Sequence, residues 1–300
     1  MNKALAELEF YVDINQNNVI EPQEMMDSVQ LHRGNNSVQF NVPNVLPGLL
    51  KYQLVVRSDG HEQKIDGHIR VGGAKQSLKV LNLVSEAIYF LRPNGLFGQS
   101  SYQMEDYSLD IFTCSPFLSD LHLCHIGDYD QYDVIIIEPN LFEFSLSNSF
   151  HTKLLEQINK GKPVIFTHNV TRAKPDWFNH YKDYLGLSSR LTSFPPVNVV
   201  DRLEIINATS YISYPNNLTL EPFVIPGALP IAINEQYQID IGQTEVVPLL
   251  NLYDSAFTTF DRFDSANNYY YYKRNNVVYL AVGQYALGYT PREIDLIGNA

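Results

Sequence analysis

The chain has little charge and little cysteine. Charged residues make up 18% of its 300 positions, and two residues are cysteine, Cys114 and Cys124. Two cysteines exclude the disulfide framework that holds small secreted domains together. One bridge in an oxidising compartment and two buried thiols are both compatible with that number, and both readings stay open. Positive charge is the scarcer sign: 21 Lys and Arg against 33 Asp and Glu leave a net charge of -12. A surface of that sign repels the phosphate backbone, so nucleic acid is not an expected partner. No apolar run approaches the roughly 20 residues of a membrane-spanning helix, so no transmembrane segment is expected. The first residues, Met1 to Ala6, carry no apolar stretch of the kind a secretory signal needs. A strand-like segment follows almost at once, and we expect the chain to be a fragment of a longer protein.

Aromatic and uncharged polar residues take the place of charge. Tyr (20) and Phe (16) are abundant, and Asn is frequent. This favours a β-rich protein with polar, uncharged surfaces. A hydrophobic content of 45% over 300 residues is enough for a large core and about two domains.

Residues 1–73 read as all-β. Leu8 to Val12 is a strand candidate, and Ser37 to Val42 alternates apolar and polar residues with period two. Tyr52 to Arg57 follows, then a turn at Ser58-Asp59-Gly60, then a further alternating segment from Ile65 to Val71. Short strands with Gly, Pro and Asn turns at this spacing suggest a small Ig-like sandwich. Gly72-Gly73-Ala74-Lys75 is the best boundary, because it is small and the pattern changes after it.

Residues 74–300 read as α/β. Leu78 to Val84, Val134 to Ile137 and Val164 to Phe166 are nearly continuous apolar runs. Strands of that kind are covered on both faces, which calls for helices on each side of a mostly parallel sheet. Phe150, Leu154, Leu155 and Ile158 form a helical stripe, with Ser147 or Ser149 to cap its start and Gly161 to end it. Pro175 to Leu185 reads as another helix, with Pro in its first turn and Gly186 at its end. Residues 190–250 are Pro-rich and irregular. A hairpin is expected at 269–282, turning at Arg274-Asn275-Asn276. A last helix begins near Thr290, with Glu293 completing a capping box.

Three segments carry a resemblance: YDQYDVIIIEPN, LLEQINKGKPVIFTHN and the C-terminal VVYLAVGQYALGYTPREIDLIGNA. Together they make residues 78–300 similar to the class I glutamine amidotransferase-like superfamily, whose sheet is flavodoxin-like. The nearer branches are the ThuA-like proteins and related domains of large bacterial surface proteins. Catalytic members of that superfamily place a Cys nucleophile on a Gly-flanked turn, with a His and an acid to complete a triad. Here the turn reads Thr167-His168-Asn169-Val170, without Cys, Ser or flanking Gly, and Gln284 stands where relatives often carry His. The resemblance therefore implies a degenerate, non-catalytic branch. It also implies a ligand cleft at the C-terminal ends of the strands, lined by His168, Asn169, Glu138, Asn140 and Gln284, with carbohydrate as the ligand class. Read by itself, His168 either acts as an acid, base or ligand, or only hydrogen-bonds a neighbouring loop.

The sharpest local motif is Asp13-Ile14-Asn15-Gln16-Asn17-Asn18-Val19-Ile20-Glu21-Pro22-Gln23-Glu24. It fits the calcium-loop pattern at every position but the sixth, where Asn18 replaces Gly. Side-chain oxygens of Asp13, Asn15 and Asn17, the Val19 carbonyl, Glu24 and, directly or through water, Glu21 are the expected Ca²⁺ ligands. The competing reading is an Asn-rich hairpin turn that holds no metal. His122, Cys124 and His125 are too crowded for zinc. The acidic run from Asp128 to Asp133 reads as a solvated turn, and Tyr269 to Tyr272 as strand packing. The reading as a whole is a structural or ligand-binding module of a larger bacterial protein, extracellular or at the cell surface. Its partners are carbohydrate or other domains of the same chain. The alternative is a carbohydrate-active enzyme that uses the same cleft.

Overall fold

Short strands joined by tight polar turns build the first part of the chain. A computed structural model describes residues 6–14, 19–41, 48–71, 76–84, 100–104, 107–116, 129–138, 146–167, 175–193, 202–207, 210–213, 235–240, 245–253, 269–280 and 291–300. Strands β1 (Ala6–Val12), β2 (Met25–Leu31), β3 (Gly48–Ser58) and β4 (His61–Val71) form one sheet in the order β2-β1-β3-β4, antiparallel throughout. The β3–β4 turn has φ of 44° at Asp59 and 80° at Gly60. Positive φ at both turn residues matches the twist of the flanking strands.

Phe10, Val12 and Leu50 are the buried centre of this sheet, with Met26, Phe40, Tyr52, Leu54, Ile69 and Val71 packed against them. Tyr52 pairs with Gly67 across β3 and β4, and its ring lies where a Gly67 Cβ would sit, 2.6 Å away. The alternation at 37–42 is not a strand: residues 37–41 are irregular and Val42 lies outside the described residues. Phe40 instead crosses the sheet face and stacks on Phe10, with ring centroids 4.6 Å apart. Its apolar period reflects that contact rather than backbone pairing. Among the described residues this part is a single four-stranded sheet, without the second facing sheet of an Ig-like sandwich. The expected boundary at 72–75 lies outside them.

The second sheet has nine strands. In chain order they are β5 (Gln76–Leu83), β6 (Ser101–Gln103), β7 (Tyr107–Cys114), β8 (Val134–Ile137), β9 (Val164–Thr167), β11 (Arg202–Ile205), β13 (Val246–Tyr253), β14 (Tyr269–Arg274) and β15 (Val277–Leu280). Their order across the sheet is β11-β13-β14-β15-β9-β8-β5-β7-β6. The central strands β15, β9, β8, β5 and β7 run parallel. Antiparallel strands flank them: β14, β13 and β11 on one side, β6 on the other. The sheet is therefore mixed, and the expectation of a mostly parallel one holds for its centre. A separate pair joins β10 (Leu187–Ser193) to β12 (Glu235–Ile239).

The apolar runs produce the expected burial. Val80, Leu81, Leu83, Ile135, Ile136, Ile137, Val164, Ile165 and Phe166 are all at most 3% exposed. Fully burying one such side chain contributes about 1.5–3 kcal/mol, so this double-faced centre outweighs any single surface contact. Helix α1 (Asn148–Asn159) starts at Ser147, whose hydroxyl accepts a hydrogen bond from the Phe150 N–H at 3.2 Å. It is followed by Gly161 at φ 85°, a conformation that suits glycine. Helix α2 (Pro175–Leu185) covers the same sheet face, for its Tyr181 hydroxyl meets His151 Nδ1 of α1 at 2.8 Å. Two further helices, α3 (Ser210–Ser213) and α4 (Pro291–Asn299), pack on one another, and the Asn299 amide donates to the Ile212 carbonyl at 3.1 Å.

The tyrosine run on β14 is core. Tyr270, Tyr271 and Tyr272 are each at most 1% exposed, so both faces of this strand are covered. Tyr270 donates to Glu293 Oε1 at 3.1 Å and Tyr272 to the Leu185 carbonyl at 2.9 Å. Burial pushes the phenol pKa of Tyr129, Tyr181, Tyr271 and Tyr272 above the usual value of 10.0. A raised folded-state pKa contributes stability that is intact below the unfolded value and is lost as pH rises past it. The four tyrosines should therefore make the fold fail steeply above about pH 10, each adding up to about 1.4 kcal/mol per pH unit. Tyrosinate absorbance should appear together with the loss of circular dichroism. Complete ionisation in a still-folded chain would contradict the buried placement.

Candidate functional site

A strand buried on both faces can carry a polar residue only where a partner waits for it. Strand β5 carries one, Asn82, between Leu81 and Leu83. Its side chain is fully buried and donates from Nδ2 to Glu138 Oε1 at 2.7 Å. Thr113 Oγ1 of β7 lies 3.4 Å from the same nitrogen. Glu138, 1% exposed, directly follows β8, and its backbone N–H donates to the Leu83 carbonyl at 2.8 Å. Thr167, the last residue of β9, donates its hydroxyl to the Ile137 carbonyl at 2.7 Å. Asn82 Oδ1 is buried without a hydrogen-bond partner.

These groups share one edge. Numbered in chain order, the five parallel strands lie 2-1-3-4-5 across the sheet, and β5 and β8 are the first and third of them. The chain order reverses between those two strands, and a crevice outside their carboxyl ends is where open α/β sheets take ligands. Glu138 and Asn82 flank that point. The chemistry on offer is hydrogen-bond acceptance from a carboxylate and an amide oxygen. The Asn82 amide already engages one carboxylate oxygen of Glu138.

Of the five cleft residues expected from the sequence, Glu138 is the one the structure describes. His168, Asn169, Asn140 and Gln284 lie outside the described residues. His168 directly follows Thr167, and β9 pairs with β8 up to Ile137–Phe166. Asn82 was missed by sequence reasoning because the run Leu78 to Val84 reads as continuous apolar strand. The signal was there, as an amide with apolar neighbours on both sides. At the same edge, Cys114 of β7 pairs in register with Leu83, and it is disulfide-bonded. The other cysteine of the chain, Cys124, lies outside the described residues.

In the loop read as a calcium site, Asn15 and Asn17 lie outside the described residues. Asp13 is 3% and Glu24 4% exposed, while Val19 projects into solvent and Glu21 is half-buried. The Glu24 carboxylate accepts the Ile14 N–H on Oε1 and the Glu21 N–H on Oε2, each at 3.0 Å. It thereby caps the 3-10 turn Pro22–Glu24 and closes the base of the loop. This capping role accounts for the burial of Glu24 with or without an ion.

A second polar depression, of about 340 Å³, lies at the opposite end of the parallel strands and is lined by Asp130, Tyr132, Asp133, Gln157, Lys160, Gly161 and Lys162. Its charges are engaged with one another. Asp130 accepts from Lys160 Nζ at 2.7 Å and Gln157 Nε2 at 3.0 Å, and the Lys160 hydrogen bond above all lowers its carboxyl pKa. Asp133 accepts the Lys79 N–H at 2.8 Å. The acidic run thus fastens the start of β8 to α1 and β5.

Among solved structures the chain is similar to a ThuA-like protein from Bacteroides uniformis, at 18% identity and a TM-score of 0.43, over 77% of this chain and 92% of that one. No family model matches the chain. A search of curated proteins gives no match.

The Asn82–Glu138 contact makes a quantitative prediction. Asn82→Ala should destabilise the fold by about 2–3 kcal/mol, because a buried carboxylate loses a donor. Adding Glu138→Gln to that variant should recover part of the loss by removing the charge. Urea unfolding of the two single variants and the double variant measures both effects. Strictly additive losses would show that the contact carries no coupling.

Proposed function

We propose that the chain is a non-catalytic, ligand-binding module of a larger bacterial protein, placed outside the cell or at its surface. The observation that carries this reading is the buried Asn82–Glu138 pair at the point where strand order reverses. It puts polar groups where sheets of this kind bind ligands, yet one Glu138 oxygen is engaged by an amide rather than poised for proton transfer. The 2-1-3-4-5 order is that of flavodoxin, which supports a flavodoxin-like reading of the parallel centre. The antiparallel N-terminal sheet is read as part of an Ig-like unit. The disulfide at Cys114 supports an oxidising location, since such bonds persist outside the cytosol.

Carbohydrate is the proposed ligand class, with His168, Asn169, Asn140 and Gln284 joining Glu138 in the cleft. Neutral sugars donate many hydrogen bonds, which suits an acceptor-rich site in a chain of net charge -12. The test is calorimetric titration of the intact chain with a panel of neutral oligosaccharides, with product analysis of the same samples. Saturable binding without products is expected, weakened at least tenfold by His168→Ala. Products that disappear in Glu138→Gln would favour the carbohydrate-active enzyme. Absence of both binding and turnover would remove the cleft reading.

Ca²⁺ is proposed as a ligand of the loop, held by Asp13, Asn15, Asn17, Val19, Glu21 and Glu24. The burial of both terminal carboxylates supports this. At a hundredfold excess over Kd the ion should stabilise the fold by about 2.7 kcal/mol. Melting curves in millimolar Ca²⁺ and in chelator should therefore separate for the wild type and converge for Asn15→Ala. Superimposed wild-type curves would leave the metal-free hairpin turn.

A further inference from the structure

Lys273 lies on β14, in the antiparallel flank of the large sheet, and is 7% exposed. Burying an ammonium is costly unless something of opposite charge or high electron density faces it. Two such groups do. Its Nζ sits 4.6 Å from the centre of the Tyr211 ring, within cation–π range. Asp13, at the end of β1 in the N-terminal sheet, is buried too and favours the charged form of Lys273 against the effect of burial.

The backbone around this point joins the two sheets. Asp13 donates its N–H to the Lys51 carbonyl of β3 at 2.9 Å. Strand β3 packs against α3, the short helix that carries Tyr211. Helix α3 packs in turn on α4, whose Asn299 donates to the Ile212 carbonyl and whose Glu293 accepts from Tyr270 of β14. A path of contacts thus leaves the N-terminal sheet through β3 and α3 and returns to the strand of Lys273.

We propose that Lys273 is the buried cation on which the N-terminal sheet docks, paired with Asp13 and seated on Tyr211, so that the two sheets unfold as one cooperative unit. A lone lysine on a sheet flank would snorkel to water. This one is covered by an element some 260 positions earlier in the chain, so it costs stability unless that element stays in place. The proposal departs from the sequence expectation of two separately packed cores joined at Gly72-Gly73.

The test is a double-mutant cycle on the full chain, run in chelator so that the calcium reading does not enter. Wild type should show one calorimetric transition. Lys273→Met and Asp13→Asn should each split it, with the N-terminal sheet melting first. The unfolding constant of the double variant should depart about tenfold from the product expected for independent sites. Single-variant effects that multiply to within twofold, or a wild type that already melts in two independent steps, would overturn the proposal. If Lys273→Met does not fold, Lys273→Arg and Lys273→Gln replace it. Arg should keep the coupling to Asp13 and Gln should lose it; equal coupling in both would overturn the proposal as well.

Discussion

Everything in the larger part of the molecule depends on strands that are buried on both faces. Once Leu81, Leu83, Ile135 to Ile137 and Val164 to Phe166 lie in the middle of a sheet, water cannot reach their backbone, and every polar group there must find a protein partner. Such a sheet places polar function at its edges and at strand ends. Asn82 is the exception inside the sheet, and its amide is matched to Glu138, just beyond the adjacent strand. The same constraint explains why Thr167 turns its hydroxyl onto the Ile137 carbonyl.

The antiparallel flank extends that logic. Three consecutive tyrosines on β14 are buried, and two of them send their hydroxyls to other elements, α4 and the end of α2. Tyrosine supplies apolar area along the ring and a polar tip that can reach past it. Lys273, the next residue, is handled in the same way, its stem buried and its charge set over Tyr211. Burial of so many polar tips ties the flank to helices drawn from distant parts of the chain.

The N-terminal sheet works on a smaller scale. Its core is a few side chains, led by Phe10, Val12 and Leu50, with Phe40 and Tyr52 laid over it. Three buried residues make a modest core, and a sheet of this size gains from a neighbour to lean on. The buried Asp13 and the capping carboxylate of Glu24 lie at one end of this sheet, where the loop, the 3-10 turn and the large sheet come together.

The sequence by itself determined the local elements whose signals are short-range. The three apolar strands, the cap at Ser147, the stops at Gly161 and Gly186 and the Asp59-Gly60 turn were all legible, because each depends on residues within a few positions. Proline set the start of α2 for the same reason. What the sequence did not carry was pairing. Nothing local distinguishes the period of 37–42 from a strand; only the ring of Phe10 beneath Phe40 explains it. Nothing local marks β6 and β7, or shows that the sheet would turn antiparallel on both flanks. Glu138 was legible as a polar residue at a strand end, but its partner Asn82 lies 56 positions away on another strand. Asp13 was legible as a loop carboxylate, and Lys273 as one residue of a hairpin. Tertiary structure alone decided that they would share one buried site, since the cost of burying a charge is set by whatever the fold brings beside it.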